Sequence, residues 1–331
     1  MVNIEDKLRE ECRKIISTVP LKYIIGYEKG SDSFKVTPSF ARTLEDINKF
    51  IFSPFCANNL TAFITRPLTE RFIVAKEEKK KIGIVVKGCD SRALIQLIQE
   101  NIVTRDDLIV IGIVCEGIID SRKLAIKLDQ LKLSRNIGSV ELVVDDFVFN
   151  IDGKKINIPK QDTVFEKCKF CKYPTPLIYD ALIGEPKKVE KVEKLYEDIE
   201  KLDALPLPEK WQYWKEQFSK CIRCYACKNI CPLCYCKECI AEKTSPVWIR
   251  SSTNLPENLH YHLMRALHLA GRCIGCEECE RVCPMNIPVR ALTKKLEKEV
   301  LEMYGYEAGI DPKAKPLLAS FDPKDPAEFI L

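Results

Sequence analysis

Apolar and polar positions follow two different periods along this chain, and the changes of period divide it. Residues 3–18 set apolar side chains at helical spacing and stop before Pro20, predicting a helix. Residues 41–51 read as helical too. From Arg71 the texture changes: RFIVAK and IGIVVK are short β-rich runs either side of the charged turn EEKK. DSRALIQLIQEN predicts a helix with Asp90 or Ser91 as N-cap and Leu94, Leu97 and Ile98 on its apolar side. DLIVIGIVC is a near-continuous apolar run, as expected of a parallel strand buried on both faces. Strand, helix and strand in that order predict a βαβ unit and an α/β core.

The second half returns to the helical period. Residues 188–203, KVEKVEKLYEDIEKLD, place Val189, Val192, Leu195, Ile199 and Leu202 on one side, predicting a charged linker or docking helix that LPLPEK ends. Trp211 and Trp214 read as core. LPENLHYHLMRALHLAGRC predicts a helix with Leu259, Leu263, Leu267 and Ala270 as its apolar face and Gly271 as its stop. IPVRALTKKLEKEVLEM predicts another, with Pro288 near its start. His260, His262 and His268 read as surface or packing residues of the first of these helices. The expected organisation is an α/β domain over 1–187, a linker helix over 188–210, a mainly α-helical domain over 211–305, and an extended Pro-containing tail over 306–331. The tail cannot form a core of its own and is either frayed or laid on a partner subunit.

Seventeen cysteines carry the candidate chemistry. Cys221, Cys224, Cys227 and Cys231 are followed by Pro232, and Cys273, Cys276, Cys279 and Cys283 by Pro284. Each run reads C-x2-C-x2-C-x3-C-P, the spacing of a two-cluster ferredoxin, in which the fourth cysteine of each run ligates the other run's cluster. One 4Fe-4S cluster is therefore assigned Cys221, Cys224, Cys227 and Cys283. The other is assigned Cys273, Cys276, Cys279 and Cys231. Structural zinc is the bland alternative, but it takes thiolates in pairs and has no use for a third cysteine at the same step. Cys89 and Cys115 follow the two apolar strands, where ligands bind in an open α/β sheet. Each alone reads equally well as a buried small hydrophobe. With the C-x-x-C pair Cys168 and Cys171 they make a candidate third 4Fe-4S set. Cys234, Cys236 and Cys239 complete no ligand set and read as packing beneath the clusters, with a further metal shared with Cys56, Cys12 or a partner's thiol as the alternative. Cys12 and Cys56 stay unassigned.

Composition narrows the function by exclusion. The chain has 331 residues, 46% hydrophobic and 30% charged, with a formal net charge of +4, too small for a nucleic-acid partner. Each oxidised four-cysteine cluster carries about −2, so a loaded protein would be mildly acidic. The amphipathic N-terminus lacks the apolar run of a signal peptide, and no window matches a membrane span. So many thiols fit a reducing cytoplasm. There is no Ser-His-Asp set, catalytic carboxylate pair or phosphate loop.

VVKGCDSRALIQL, IVIGIVCEG and CKFCKYPTPLIYDALIGEP together resemble the beta subunits of coenzyme F-420-reducing hydrogenases and formate dehydrogenases, over roughly residues 70–187. VKGCDSRAL is also similar to the beta subunits of sulfhydrogenases and anaerobic sulfite reductase. The helices of the second half resemble the α-helical two-cluster ferredoxin domain of heterodisulfide-reductase-like iron–sulfur subunits. The first resemblance implies a cluster at the cysteines of these motifs beside FAD, and electron exchange with the deazaflavin coenzyme. Two features depart from it: that family carries its ferredoxin motifs first, and its Gly-Gly-rich flavin stretch has no counterpart here. The expected function is an iron–sulfur electron-transfer subunit of a multisubunit oxidoreductase, working with a hydrogenase, a formate dehydrogenase or a heterodisulfide-reductase-like flavoprotein. The alternative is a flavin-dependent reductase or dehydrogenase acting on the deazaflavin coenzyme or another small acceptor.

Overall fold

The computed structural model describes residues 4–32, 34–65, 80–143, 146–189 and 192–317. The expected strand RFIVAK and residues 318–331 of the tail lie outside these. The chain divides into two compact units. The first takes the N-terminal residues to Leu60, the stretch ending at Ser91, and Thr104–Val192; the second takes a short stretch from Thr61, Arg92–Val103, and everything from Glu193. The expected α/β content is present.

The first unit is built on a five-stranded sheet of order β2-β1-β3-β4-β8. Its strands are β1 (Leu21–Lys29), β2 (Val36–Ala41), β3 (Lys81–Val86), β4 (Leu108–Ile113) and β8 (Ala181–Ile183). β1, β3, β4 and β8 run parallel, with Ile24 facing Gly83, Ile84 facing Val110 and Gly112 facing Leu182; β2 pairs antiparallel at the edge. Ile84, Val85 and Val86 of β3 and Val110, Ile111 and Ile113 of β4 are all buried, as a sheet covered on both faces requires. β3 and β4 are neighbours, so the two strand ends that carry Cys89 and Cys115 lie side by side.

A second sheet, β5 (Ile137–Val143), β6 (Asp146–Ile151) and β7 (Lys154–Pro159), is an antiparallel meander absent from the sequence expectations. Its hairpin turns at Asp152 and Gly153, with φ of 49° and 80°. Paired left-handed residues match the twist of the strands they join. Phe147, Phe149 and Ile151 alternate inward along β6, and with Ile158, Leu124 and Leu128 they form a separate core.

Between β3 and β4 the helix runs Gly88–Gln99, beginning ahead of the expected caps. Asp90 therefore sits in its first turn, and its Oδ2 accepts the Lys87 backbone N–H at 3.0 Å. The expected helix over 41–51 is shorter, Leu44–Asn48, closed by a Thr43–Asp46 capping box.

From Glu193 every described element is a helix. Among the described residues of the charged segment 188–203, helix begins at Glu197, after a turn with Lys194 in the left-handed region at φ 62°. Helix Leu207–Ser219 then crosses the expected boundary at 210. Helix Leu255–His268 starts on Asn254, whose Oδ1 accepts the Glu257 N–H at 3.0 Å. It packs on Leu207–Ser219 and on Val289–Tyr304. The first part of the tail is folded rather than free: Arg92 donates to the Ala308 carbonyl at 2.8 Å and Gln99 to the Asp311 carbonyl at 2.6 Å, all within this unit. Among the described residues no helix is long and apolar enough to cross a membrane.

Candidate metal centres

The two cysteine runs adopt the same backbone. In each, the residue before the second cysteine and the residue after it are left-handed: Arg223 (φ 55°) and Tyr225 (57°) in the first, Gly275 (69°) and Glu277 (53°) in the second. Each run then enters a short helix, Ala226–Ile230 or Glu278–Arg281, and these two helices pack together. Left-handed residues alternating with right-handed ones curl the main chain into a concave nest of N–H groups, a shape suited to an anionic cluster. Three of these four positions are not glycine, so the turns are held against a steric preference. Backbone N–H groups also reach the sulfurs, Arg223 to Cys221 Sγ and Ile287 to Cys283 Sγ, each at 3.4 Å.

The runs share one core. Buried Cys227 and Cys279 sit with Phe218, Tyr261, Ile287 and Val289, and Cys221, Cys239 and Cys283 pack against them. Burial first, with Cys231, Cys273 and Cys227 adding to it against Arg265, pushes the Cys279 thiol up to about 12. So Cys231, the last cysteine of the first run, lies within electrostatic reach of Cys279 of the second. Cys283, the last of the second, lies in the core that holds Cys221 and Cys227. Cys234 is hydrogen-bonded to Cys231, which holds the Cys234 thiol below its ordinary value. Cys236 is exposed.

Helix Leu255–His268 keeps Leu259 against the core but turns the rest of its expected leucine face outward. Leu263 and Leu267 are 54% and 46% exposed, while Asn258, Tyr261, His262 and Arg265 are buried. The reason is what these polar groups meet. His262 Nε2 lies 3.3 Å from Cys221 Sγ, and Tyr261 Oη 3.5 Å from Cys227 Sγ. His262 is stacked on Phe218 at 4.5 Å, and burial, with Arg265 and Arg223, lowers its pKa to about 3. In either protonation state the ring can turn an N–H to sulfur. Asn258 donates to the Phe218 and Cys221 carbonyls at 3.0 and 2.9 Å, fixing the chain into the first cysteine. Trp214 stacks on Phe218 at 5.2 Å, but Trp211, expected in the core, is 54% exposed.

The first unit gathers a different set. Cys89 stands in the first turn of Gly88–Gln99, where a helix N-terminus favours a thiolate. Cys115 follows β4; its sulfur accepts the Gly117 N–H, and its own N–H donates to the Pro174 carbonyl at 2.9 Å. Burial, then Asp90, pushes the Cys89 thiol up to about 12, with Cys171 adding to it. Burial, then Cys168 and Cys89, pushes Cys115 up as well. Cys168 accepts the Ile118 N–H at 3.4 Å. The loop after Cys171 comes so close that a Cβ on Gly88 would lie 1.7 Å from the Tyr173 carbonyl oxygen. Only glycine permits this approach.

Beside this set lies a fully buried ion pair that sequence reasoning missed, Lys87 Nζ to Asp90 Oδ2 at 2.9 Å. Lys87 also donates to the Asn58 carbonyl at 3.0 Å and to Tyr27 Oη. The fields of Asp90, Cys89 and Cys115 outweigh burial and hold the ammonium above its ordinary pKa. Cys56 is buried near Lys87 and Cys12 is buried on the first helix; burial raises both thiols, to about 11 and about 12. Among the described residues no three His, Cys, Asp or Glu side chains close tightly enough to hold a single metal ion.

Residues 79–213 match the family model that describes the C-terminal part of the beta chain of coenzyme F420 hydrogenase/dehydrogenase. The chain is 25% identical to the F420-dependent formate dehydrogenase subunit beta of Methanocaldococcus jannaschii, over 89% of each chain. It is 25% identical to the F420-dependent formate dehydrogenase 1 subunit beta of Methanococcus maripaludis, over 91% of this chain and 89% of that one. The unmatched tenth of this chain is shorter than the stretch from Cys221 to Cys283, so the similarity reaches into the C-terminal cysteine runs. A solved structure described as "Xenon derivatization of the F420-reducing [NiFe] hydrogenase complex from Methanosarcina barkeri" shares 17% identity over 54% of this chain and 59% of its own, at a TM-score of 0.39. The resemblance carried by VVKGCDSRALIQL and the motifs after it thus stands: this chain resembles the beta subunits of coenzyme F-420-reducing hydrogenase and formate dehydrogenase, most directly over residues 79–213.

Proposed function

We propose that this chain is an iron–sulfur electron-transfer subunit of a multisubunit oxidoreductase, of the formate dehydrogenase or hydrogenase kind that its relatives' names describe. The carrying observation is the twice-repeated pair of left-handed residues around the middle cysteine of each run. Its donor set suits clusters: eight thiols in two runs, with backbone N–H groups turned to sulfur and a core common to both runs. In this reading Cys221, Cys224, Cys227 and Cys283 hold one 4Fe-4S cluster, and Cys273, Cys276, Cys279 and Cys231 the other. Cys89, Cys115, Cys168 and Cys171 hold a third. Bound clusters supply one-electron transfer without a general acid or base.

The chain's own groups set the conditions. Phe218, Tyr261, Ile287 and Val289 keep water from the sulfurs of Cys227 and Cys279. The N–H of His262 favours the more negative state of the first set, as do the backbone N–H groups at Cys221 and Cys283. In the first unit, the Gly117 and Ile118 N–H groups do the same for Cys115 and Cys168.

A second reading is supported by the relatives' names, which specify F420 dependence: the first unit exchanges electrons with the deazaflavin coenzyme, with FAD as intermediary. One measurement tests both, the iron, acid-labile sulfide and flavin content of anaerobically purified protein. About twelve irons and twelve sulfides per chain are expected for three clusters. About eight would remove the third set, and a colourless zinc protein would remove the function. Stoichiometric FAD would bring the second reading forward.

A further inference from the structure

We infer that Arg265 is the shared counter-cation of the two cysteine sets in the helical unit, raising the potential of both and damping the repulsion between their electrons. The inference rests on the reading that these sets hold 4Fe-4S clusters and extends it to a residue outside the ligands.

Arg265 lies on the inward face of helix Leu255–His268 and is almost wholly buried. A guanidinium keeps its charge in any protein, so its burial demands a counter-charge. No carboxylate among the described residues supplies one. One Nη2–H goes to the Cys227 carbonyl at 3.1 Å, while the buried Nε–H has no acceptor among the described residues. What lies beside it is thiols: its Nη2–H meets the main chain of Cys227, which shares one core with Cys279 of the other run, and its field also reaches Cys231 and Cys234. These four do not belong to one set. Cys227 is assigned to the first cluster, Cys231 and Cys279 to the second, and Cys234 is hydrogen-bonded to Cys231. One cation therefore sees ligands of both sets, and it keeps one buried donor unused.

The other buried arginines of this unit differ. Arg92 is paired with Glu307 at 3.3 Å, and Arg290 is bound to Glu297 at 2.5 Å, which largely cancels the charge of each. Arg223 lies over the Tyr261 ring at 4.5 Å and donates to the Glu257 and Arg250 carbonyls. Arg265 alone of the four combines an uncancelled charge with thiols from both runs.

When a set accepts one electron from a one-electron donor, the donor is oxidised by one and the bound cluster goes from about −2 to about −3, with no proton needed. A fixed cation nearby favours that change in each set. It also lessens the penalty that the first added electron places on the second.

The test is an EPR-monitored potentiometric titration with dithionite, on the whole chain with full iron content. In Arg265→Met both midpoint potentials of the ferredoxin-type pair should fall and the gap between them should widen. Arg265→Lys, which keeps the charge, should stay near the unmodified protein. Unchanged potentials in an iron-replete Arg265→Met, or an equal fall in Arg265→Lys, would overturn the inference. If Arg265→Met fails to keep its iron, Arg265→Gln against Arg265→Lys makes the same comparison. Unmodified protein without iron and labile sulfide would instead sink the cluster reading, a failure visible before any variant is made.

Discussion

The two units place thiols together by opposite routes. In the α/β unit a hydrophobic sheet is complete without them, and Cys89, Cys115, Cys168 and Cys171 arrive from a helix start, a strand end, a short helix and a loop. Their buried cation, Lys87, is matched by its own carboxylate, Asp90. In the helical unit the cysteines come in two unbroken runs and are themselves part of the core, and the buried cation Arg265 has no carboxylate among the described residues. The first unit is a fold that carries a site. The second is a fold whose site replaces much of its core.

That contrast predicts its largest effect on stripping iron. Metal binding free energy is folding free energy where no preformed site survives without metal. Chelated protein should therefore lose the helical unit while the five-stranded sheet persists. Limited proteolysis with fragment mapping would show early cuts after residue 192 and a resistant fragment containing β3 and β4. Equal resistance of both units would erase the distinction between them.

Next comes the matched pair in the α/β unit. Lys87→Met leaves Asp90 buried without its cation, and removing one partner of a buried pair costs about 3–5 kcal/mol. The midpoint of the denaturant transition seen for this unit should fall accordingly. A shift below about 1 kcal/mol would mean that the pair is solvated or replaceable. Gly88→Ala should act more narrowly. Its methyl cannot coexist with the Tyr173 carbonyl, so the loop following Cys171 must move away from Cys89. An overpacking cost of about 1–3 kcal/mol is expected, with loss of the unit's iron but retention of the iron in the two runs. Full iron content in that variant would separate the loop from the ligand set.

How much of this was legible in the sequence follows from what each signal encodes. The two runs are local: every constraint on the turn lies within a few residues, so spacing alone announced them. Strands β3 and β4 and the positions of Cys89 and Cys115 at their ends came from unbroken apolar runs. The meander was missed although Asp152–Gly153 between alternating strands carries its signal. The Lys87–Asp90 pair was missed because the capping reading placed Asp90 ahead of the helix rather than in its first turn. The charged segment before Glu197 was read as helical because its period is clean, while the Lys194 turn is invisible to periodicity. Helix Leu255–His268 shows the limit best. It carries two stripes, leucines on one side and Asn258, Tyr261, His262 and Arg265 on the other, and a rule that buries the apolar stripe has no term for sulfur.

The smallest expected effect tests that helix. If Leu263 and Leu267 were its core face, each change to Gln would cost about 2–5 kcal/mol. At their observed exposure, the double variant Leu263→Gln with Leu267→Gln should stay within about 1 kcal/mol of the unmodified chain. His262→Leu provides the opposite control on the same helix. It removes the N–H facing Cys221 and should lower the potential of one cluster of the pair, leaving the other nearly in place. A double-leucine variant that unfolds, beside a His262→Leu variant with unchanged potentials, would mean that the leucines face the core after all. Stability retained in the first and one potential lowered in the second would tie the burial of the polar stripe to the sulfur it faces.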